Sequence, residues 1–574
     1  MSAIKIQRYQ DYTNHEVSVF DRVLHARGVN SSQDINYQLN NLLPPNTLCG
    51  MEEATDLLSE AVQAGAKVII VGDFDADGAT SCALAVSALK AFGLQDVSYL
   101  VPNRFEFGYG LSPEIVGVAA VEQPDLIITV DNGISSIDGV NAAQALGISV
   151  LITDHHLPAE QLPTAEAIVN PNLAHDQFAS KNLAGVGVIF YVMLALRAKL
   201  RNQAWFQQAN IPEPNMSQFL DLVALGTVAD VVPLDRNNRV LVQQGLQRIR
   251  AGQARAGIAA LLNVAKKDFR TIAASDLGFV VGPRLNAAGR MDDMSIGIEC
   301  LLTSDAHQAA SLAQQLDDIN KARREVEDSM RVEALELVKK LDVKQSKNQV
   351  GYCLFDKSWH QGIVGLVASR VKERVKRPVV ALAPADVSNP EGEWKGSFRS
   401  VEGVHIRDVI ARIDALHSDL IIKFGGHAMA AGMSIVEANI EAFVVAFDQV
   451  LREMTAGKDW TQTIMSDGEL AHNEFDVNIA EQLRYSSPWG SGFPAPLFDG
   501  FFEVCDARVV GDSHAKMLLR PRDSDDTYDA ICFGYLREHE LLPRGIIHVV
   551  YRLDVNYYQG MKKLQMLVEH VIES

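Results

Sequence analysis

Cysteine is scarce in this chain: Cys49, Cys82, Cys300, Cys353, Cys505 and Cys532 are scattered through 574 residues with no C-x-x-C pair. Neither a disulfide framework nor a thiolate zinc site is therefore expected. Long apolar runs are missing too. The longest, Leu183 to Leu196, is broken by Arg197 and falls short of the roughly 20 residues a bilayer demands, so no membrane span is expected. The opening MSAIKIQRYQ has no apolar core of a secretory leader, and the expected location is the cytoplasm. Positive charge is in deficit: 52 Lys and Arg against 72 Asp and Glu leave a net −20. That argues against a protein that coats nucleic acid by neutralising phosphates. It leaves room for a nuclease, because carboxylates that hold metal ions count in the total and are neutralised in use. The chain has no G-K-[ST] phosphate loop, and Gly185-Val186-Gly187 lacks the third glycine of a dinucleotide fingerprint, so those glycines read as close helix packing. Internal repeats and low-complexity tracts are absent.

What is present is an ordinary globular composition, 47% hydrophobic and 22% charged, with length for roughly three or four domains. After an amino-terminal segment (1–50), apolar runs rich in Val and Ile alternate with helix-like stretches: KVIIVGDFD, VSYLV, DLIITVDNG and ISVLITDHH. Short continuous strands separated by helices predict an α/β, doubly wound parallel sheet for residues 51–304. Between 305 and 345 apolar positions recur at helical spacing among many charges, which predicts one long connecting helix. A smaller α/β domain follows over 346–455, ending in the Gly-rich stretch KFGGHAMAAGMSI. From 456 to 574 short strands joined by turns predict a small antiparallel barrel.

Four separated segments place acids or imidazoles at or near the end of an apolar run: Asp73, Asp75 and Asp77 in VGDFDADG, Asp131 in VDNG, Asp154, His155 and His156 in TDHH, and Asp230 in TVADVVPL. A single Asp at a strand end is ordinarily a helix cap or part of a turn. Parallel strands, however, deliver their carboxyl ends to one rim, and three acids within five residues cannot be buried together without cations, since desolvation and mutual repulsion would cost several kcal/mol. Carboxylates with one or two imidazoles suit Mn²⁺ or Mg²⁺. Two such ions sharing a carboxylate point to phosphodiester hydrolysis.

D-x-D-x-D-G after a strand, then V-D-N-G, then D-H-H, in that order, resemble the successive motifs of the DHH phosphoesterase superfamily. The resemblance implies that Asp73, Asp75 and Asp77 share two ions, that Asp131 bridges them, and that His155 and Asp230 complete the second site. It makes Asp131, Asp154 and His156 the catalytic group, with His156 facing the phosphate. Relatives often carry a His at the position of Val71, for which Asp73 is the expected substitute. The segment WKGSFRS (Ser397, Arg399) and GGHAMAAG (Gly425, Gly426, His427) are similar to the domain that follows the catalytic one in these enzymes. VPNRFEFGYGLS (Arg104, Tyr109) and GPRLNAAGRM (Arg284, Asn286, Arg290) resemble motifs of the RecJ family within the superfamily, and imply residues that hold a DNA end. Arg104, Arg284, Ser397 and Arg399 are the implied pocket for a 5′-terminal phosphate. The tail is similar to an oligonucleotide-binding (OB) barrel, with Arg520, Arg522, Tyr528, Lys562 and Lys563 as candidate contacts. The expected activity is metal-dependent 5′→3′ exonucleolysis of single-stranded DNA in repair and recombination. Oligoribonuclease, cyclic-dinucleotide phosphodiesterase and non-catalytic replication scaffold are the alternatives. A single-strand-binding protein and a helicase are the expected protein partners, and a monomer the expected state.

Overall fold

The computed structural model describes residues 4–9, 17–101, 110–345, 349–386, 388–522, 524–537, 539–558 and 561–573. The chain forms two compact units, one of Ile6–Gly289, Asp293–Asp317 and Ile464–Ser574, the other of Asp318–Thr463 with Arg290–Asp292 and the first few residues.

The larger unit is built on an all-parallel sheet ordered Val97–Leu100, Val68–Gly72, Leu126–Val130, Ser149–Thr153, Ala167–Val169. Val68–Gly72 and Leu126–Val130 are buried at every position, because helices cover both faces of such a sheet. Each Val, Ile or Leu so buried contributes about 2 kcal/mol. The first strand in sequence lies second in space, so the connections leave it in opposite directions. The crevice between Val68–Gly72 and Leu126–Val130 is therefore the switch point at which open α/β sheets take ligands. Gly72 pairs with Val130, and Val130 with Thr153. Asp73, Asp131 and Asp154 consequently leave their strands on one rim.

The carboxyl-terminal barrel belongs to this same unit. It closes in the order Phe498–Val510, His514–Pro521, Tyr528–Cys532, Met561–Glu573, Ile546–Tyr558. Two departures from the expected short antiparallel strands stand out. Three strands are 13 residues long, kept curved by register shifts at Val504/Asp506 and Val550/Tyr551. The junction of Tyr528–Cys532 with Met561–Glu573 is parallel, pairing Ala530 with Met566. The amino-terminal helix Val19–His25 and the turn after it are tied to the same carboxyl-terminal portion: Arg22 in the helix makes a two-pronged, buried pair with Glu474, and Arg27 in the turn does so with Asp467.

The long helix is present as Ala306–Gln345, 40 residues or about 60 Å at 1.5 Å each. The smaller unit holds a five-stranded sheet ordered Lys423–Gly426, Ala430–Val436, Glu393–Arg399, Val379–Pro384, Tyr352–Phe355, with its last pair parallel and the rest antiparallel. Burial alternates strictly along Glu393–Arg399. Trp394 and Phe398 enter the core, while Lys395, Ser397 and Arg399 share the other face. The Gly-rich stretch forms the edge hairpin of this sheet.

Candidate metal centre

The acids converge as parallel topology demands. Three groups of potential ligand atoms lie within 4.8 Å of one another: Asp73, Asp75 and Asp131; Asp77, His155 and Asp230; and Asp131, His155 and His156. Asp131 and His155 each take part in two of them. His155 Nε2 stands 3.1 Å from Asp131 Oδ1 and 3.5 Å from Asp230 Oδ2. Asp77 groups apart from Asp73 and Asp75, so the three acids that the resemblance implies share two ions fall into two groups. The helix Ala76–Ala91 starts between Asp75 and Asp77, and Asp77 is drawn away by the backbone N–H of Gly185 (2.6 Å) and Val186 (3.0 Å). Those amides open the helix Gly185–Asn202, which has no side-chain cap. A carboxylate from elsewhere in the chain thus closes that helix end and meets its positive dipole. Val71, where relatives often place His, is buried within its strand, and Asp73 is the side chain in the cluster.

Asp154 is 1% exposed, and its oxygens are taken up by the backbone N–H of Ile134, His155 and His156 and by His156 Nδ1 at 2.7 Å. Expected among the catalytic groups, it stands behind His156 and orients it. Burial alone would raise the Asp154 pKa, yet the bonds and charge from His156 carry it below the usual carboxylate range. Burial opposes charge on His156, but its bond to Asp154 prevails and raises its pKa.

Burial, then repulsion from the neighbouring acids, pushes Asp131 and Asp230 well above the carboxylate range and Asp77 up to about 7. Asp230 Oδ2 is buried and, among the described residues, accepts no hydrogen bond. Hard oxygen donors in that state, with imidazole beside them, fit Mn²⁺ or Mg²⁺. The backbone is strained here as well: Asp131 has φ +62° and Val231, next to Asp230, φ +63°, a left-handed region that is costly for a β-branched residue.

These raised pKa values carry a sign. The folded, metal-free protein retains protons on these acids that the unfolded chain releases near pH 4, so its stability should fall as pH rises from about 4 through about 7. Thermal melts in chelator across that range, repeated with Mn²⁺, check this. A metal-free melting temperature that climbed with pH over the interval would contradict it, and Mn²⁺ should restore stability most at the alkaline end.

Several contributors were not evident from the sequence. Asn170 and Asn172 hold the carbonyls of His156 and His155 at 2.9 and 2.6 Å, and Asn132 ties the ends of two strands by bonding Val71 O and Val130 O. The one available signal was N-P-N directly after a strand. Gly185 and Gly226 let helices approach: a Cβ on Gly185 would lie 2.5 Å from Asp131 Cβ, and one on Gly226 2.7 Å from Asp77 Oδ1.

The expected substrate residues divide. In the smaller unit, Gly425 pairs with Gly432, and Gly432 with Ser397, a cross-strand row with little side chain. Arg399 bonds Ser397 Oγ and Phe398 O, and no carboxylate pairs with it among the described residues. Burial lowers its pKa, the state of a guanidinium that would gain from an anion. Both side chains abut Gly365, in the first turn of the uncapped helix Val364–Val375, a setting suited to phosphate. Gly426 has φ +138°, and His427 is exposed beside this row. Arg290 Nη1 lies 3.5 Å from Gly362 O. In the larger unit, Arg284 is buried in a pair with Asp317 at 2.7 Å, and Asn286 bonds the backbone of the metal loop. Arg104 and Tyr109 lie outside the described residues. On the barrel, Arg520 pairs with Glu503, Lys562 with Glu481, and Tyr528 stacks on Phe475.

Comparison with known proteins adds a second line. The DHH family N-terminal domain matches residues 67–227, the DHHA1 domain 347–453 and the RecJ OB domain 466–570. The single-stranded-DNA-specific exonuclease RecJ of Dickeya dadantii is 50% identical over 553 residues, 96% of this chain and 95% of that protein, and its Escherichia coli counterpart is 48% identical over the same shares. The crystal structure of RecJ in complex with Mn²⁺ from Thermus thermophilus is similar with a TM-score of 0.80 at 28% identity, covering 100% of this chain and 80% of that one.

Proposed function

Because the chain belongs to the RecJ family of DHH phosphoesterases, we propose that it is a metal-dependent exonuclease that hydrolyses single-stranded DNA from the 5′ end to 5′-mononucleotides, in repair and recombination. The observation that carries this reading is the convergence of Asp73, Asp75, Asp77, Asp131, His155, His156 and Asp230 beside one sheet rim, with Asp73, Asp77 and Asp131 buried and the other four partly buried. A scaffold that binds without cutting has no use for acids held at such cost. The barrel, matched over 466–570, separates the chain from the shorter oligoribonucleases.

Asp73, Asp75 and Asp131 would hold one ion, and Asp77, His155 and Asp230 the other, with Asp131 between the two groups. Mn²⁺ or Mg²⁺ bound there supplies Lewis acidity and a water of lowered pKa. His156, held through Nδ1 by Asp154, is assigned to steady a non-bridging oxygen of the scissile phosphate. Water adds to phosphorus and the P–O3′ bond breaks, so the released nucleotide leaves with a 3′ hydroxyl and the shortened strand keeps a 5′ phosphate. Each cut thereby renews the end that the next requires. Ser397 and Arg399 are assigned that terminal phosphate. An enzyme confined to single strands needs them supplied, which is the reason to propose a helicase and a single-strand-binding protein as partners in the cytoplasm. Among the described residues no helix is long and apolar enough to cross a membrane.

Digestion of end-labelled single strands tests the reading. Mononucleotides should appear from the 5′ end, faster with a 5′ phosphate than without, from DNA in preference to RNA, and not in chelator. Release from the 3′ end, or equal attack on blunt duplex, would overturn it.

A further inference from the structure

The loop Asp73–Asp77 carries three of the metal-binding acids, and its geometry depends on a helix more than 200 residues later in the chain. The first amides of the helix Ala76–Ala91 need acceptors. Asp75 Oδ1 takes those of Asp77 and Gly78, and the Asp75 carbonyl takes that of Ala79. The Ala76 amide is left over. Asn286 Oδ1 accepts it at 2.7 Å. Three residues on, and so on the same face of the helix Gly282–Met291, Gly289 lies so close that a Cβ on it would be 1.8 Å from the Phe74 carbonyl oxygen. These two contacts flank Asp75 on either side and fix the backbone on which Asp73, Asp75 and Asp77 stand.

We propose that Asn286 is a positioning residue: it holds the metal loop through its side-chain oxygen and sets the affinity for the ions, instead of contacting DNA. The inference rests on the metal-dependent reading above. An Asn oxygen engaged by a backbone amide does for the loop what a partner behind a ligand does in other metal sites, where its loss weakens metal binding about 10–100-fold. Asp75 and Asp77 stand in different ligand groups, so a shift of Ala76 disturbs both.

The test is calorimetric titration of Mn²⁺ into the DNA-free full-length protein, wild type against Asn286→Ala and Asn286→Asp. Asn286→Ala should bind Mn²⁺ at least about 10-fold more weakly, with a melting temperature in chelator lowered by no more than the loss of one hydrogen bond explains and an unchanged KM for single strands at saturating Mn²⁺. Asn286→Asp keeps an acceptor for the Ala76 amide and should retain wild-type affinity or better. Equal Mn²⁺ affinity in wild type and Asn286→Ala overturns the proposal, as does a rise in KM alone. Loss of affinity in Asn286→Asp as great as in Asn286→Ala overturns it even where the Ala variant folds poorly. Wild type that takes up no Mn²⁺ would instead sink the metal-dependent reading itself.

Discussion

Asp131→Asn should lower Mn²⁺-dependent hydrolysis of single-stranded DNA by at least about 10³-fold and, in chelator at pH 8, raise the melting temperature above that of wild type. The two effects have one origin. Asp131 is 2% exposed and surrounded by Asp73, Asp75, Asp77 and Asp230, so without cations its charge opposes folding, and with them it joins two ligand groups. Asn is the informative replacement because it removes the charge at nearly constant shape and tolerates the φ of +62° at this position better than Ala. Kinetics at saturating Mn²⁺ and melts with and without metal read the two sides separately. Activity within tenfold of wild type would remove Asp131 from the centre of the mechanism. A lower melting temperature in chelator would show that its burial is not costly.

Gly185→Ala should be nearly as damaging to activity, although Gly185 has no side chain to take part in chemistry. The added methyl would sit 2.5 Å from Asp131 Cβ and 2.8 Å from Asp131 Oδ1, and the helix it opens would have to retreat. The amides of Gly185 and Val186 would retreat with it from Asp77. Ligands in both halves of the centre thus move together. A displacement near 1 Å in such a site costs about 10²-fold, and with two groups disturbed the loss should reach or exceed that figure. Weakened Mn²⁺ binding should accompany it. Gly187→Ala is the control: the atoms nearest its Cβ would be those of the Leu183 side chain, at 3.1 Å or more, and activity should stay within a few-fold of wild type. Similar losses in both variants would mean that general helix packing, not the carboxylates, is responsible.

The contrast between these two positions marks how far the sequence could be read. The acids were legible because a parallel sheet delivers consecutive strand ends to one rim. Asp73, Asp131 and Asp154 each follow a Val- or Ile-rich strand, so their convergence follows from topology alone. The division of labour among them was not legible, since it depends on partners far away in the chain. Asp77 parts from Asp75 because of two amides at Gly185 and Val186, glycine-flanked positions whose spacing suggested only helix packing. Asp154 resembles a catalytic acid in D-H-H, yet four hydrogen bonds commit it to holding its neighbours. Arg284 and Asn286 sit in one motif that reads as a DNA contact, but one meets Asp317 and the other a backbone amide. In the barrel, short apolar runs joined by turns marked the strands, while the parallel junction and the register shifts arise only when the sheet closes.

The pairing of Arg22 with Glu474 joins residues 452 positions apart. At a synthesis rate of about 5–20 residues per second, roughly 20–90 seconds separate their emergence from the ribosome. During that interval Arg22 in the first helix and Arg27 just after it lack the carboxylates that pair with them, although the whole parallel sheet has already been made. The catalytic portion of this molecule therefore completes its surface only when the last hundred residues arrive.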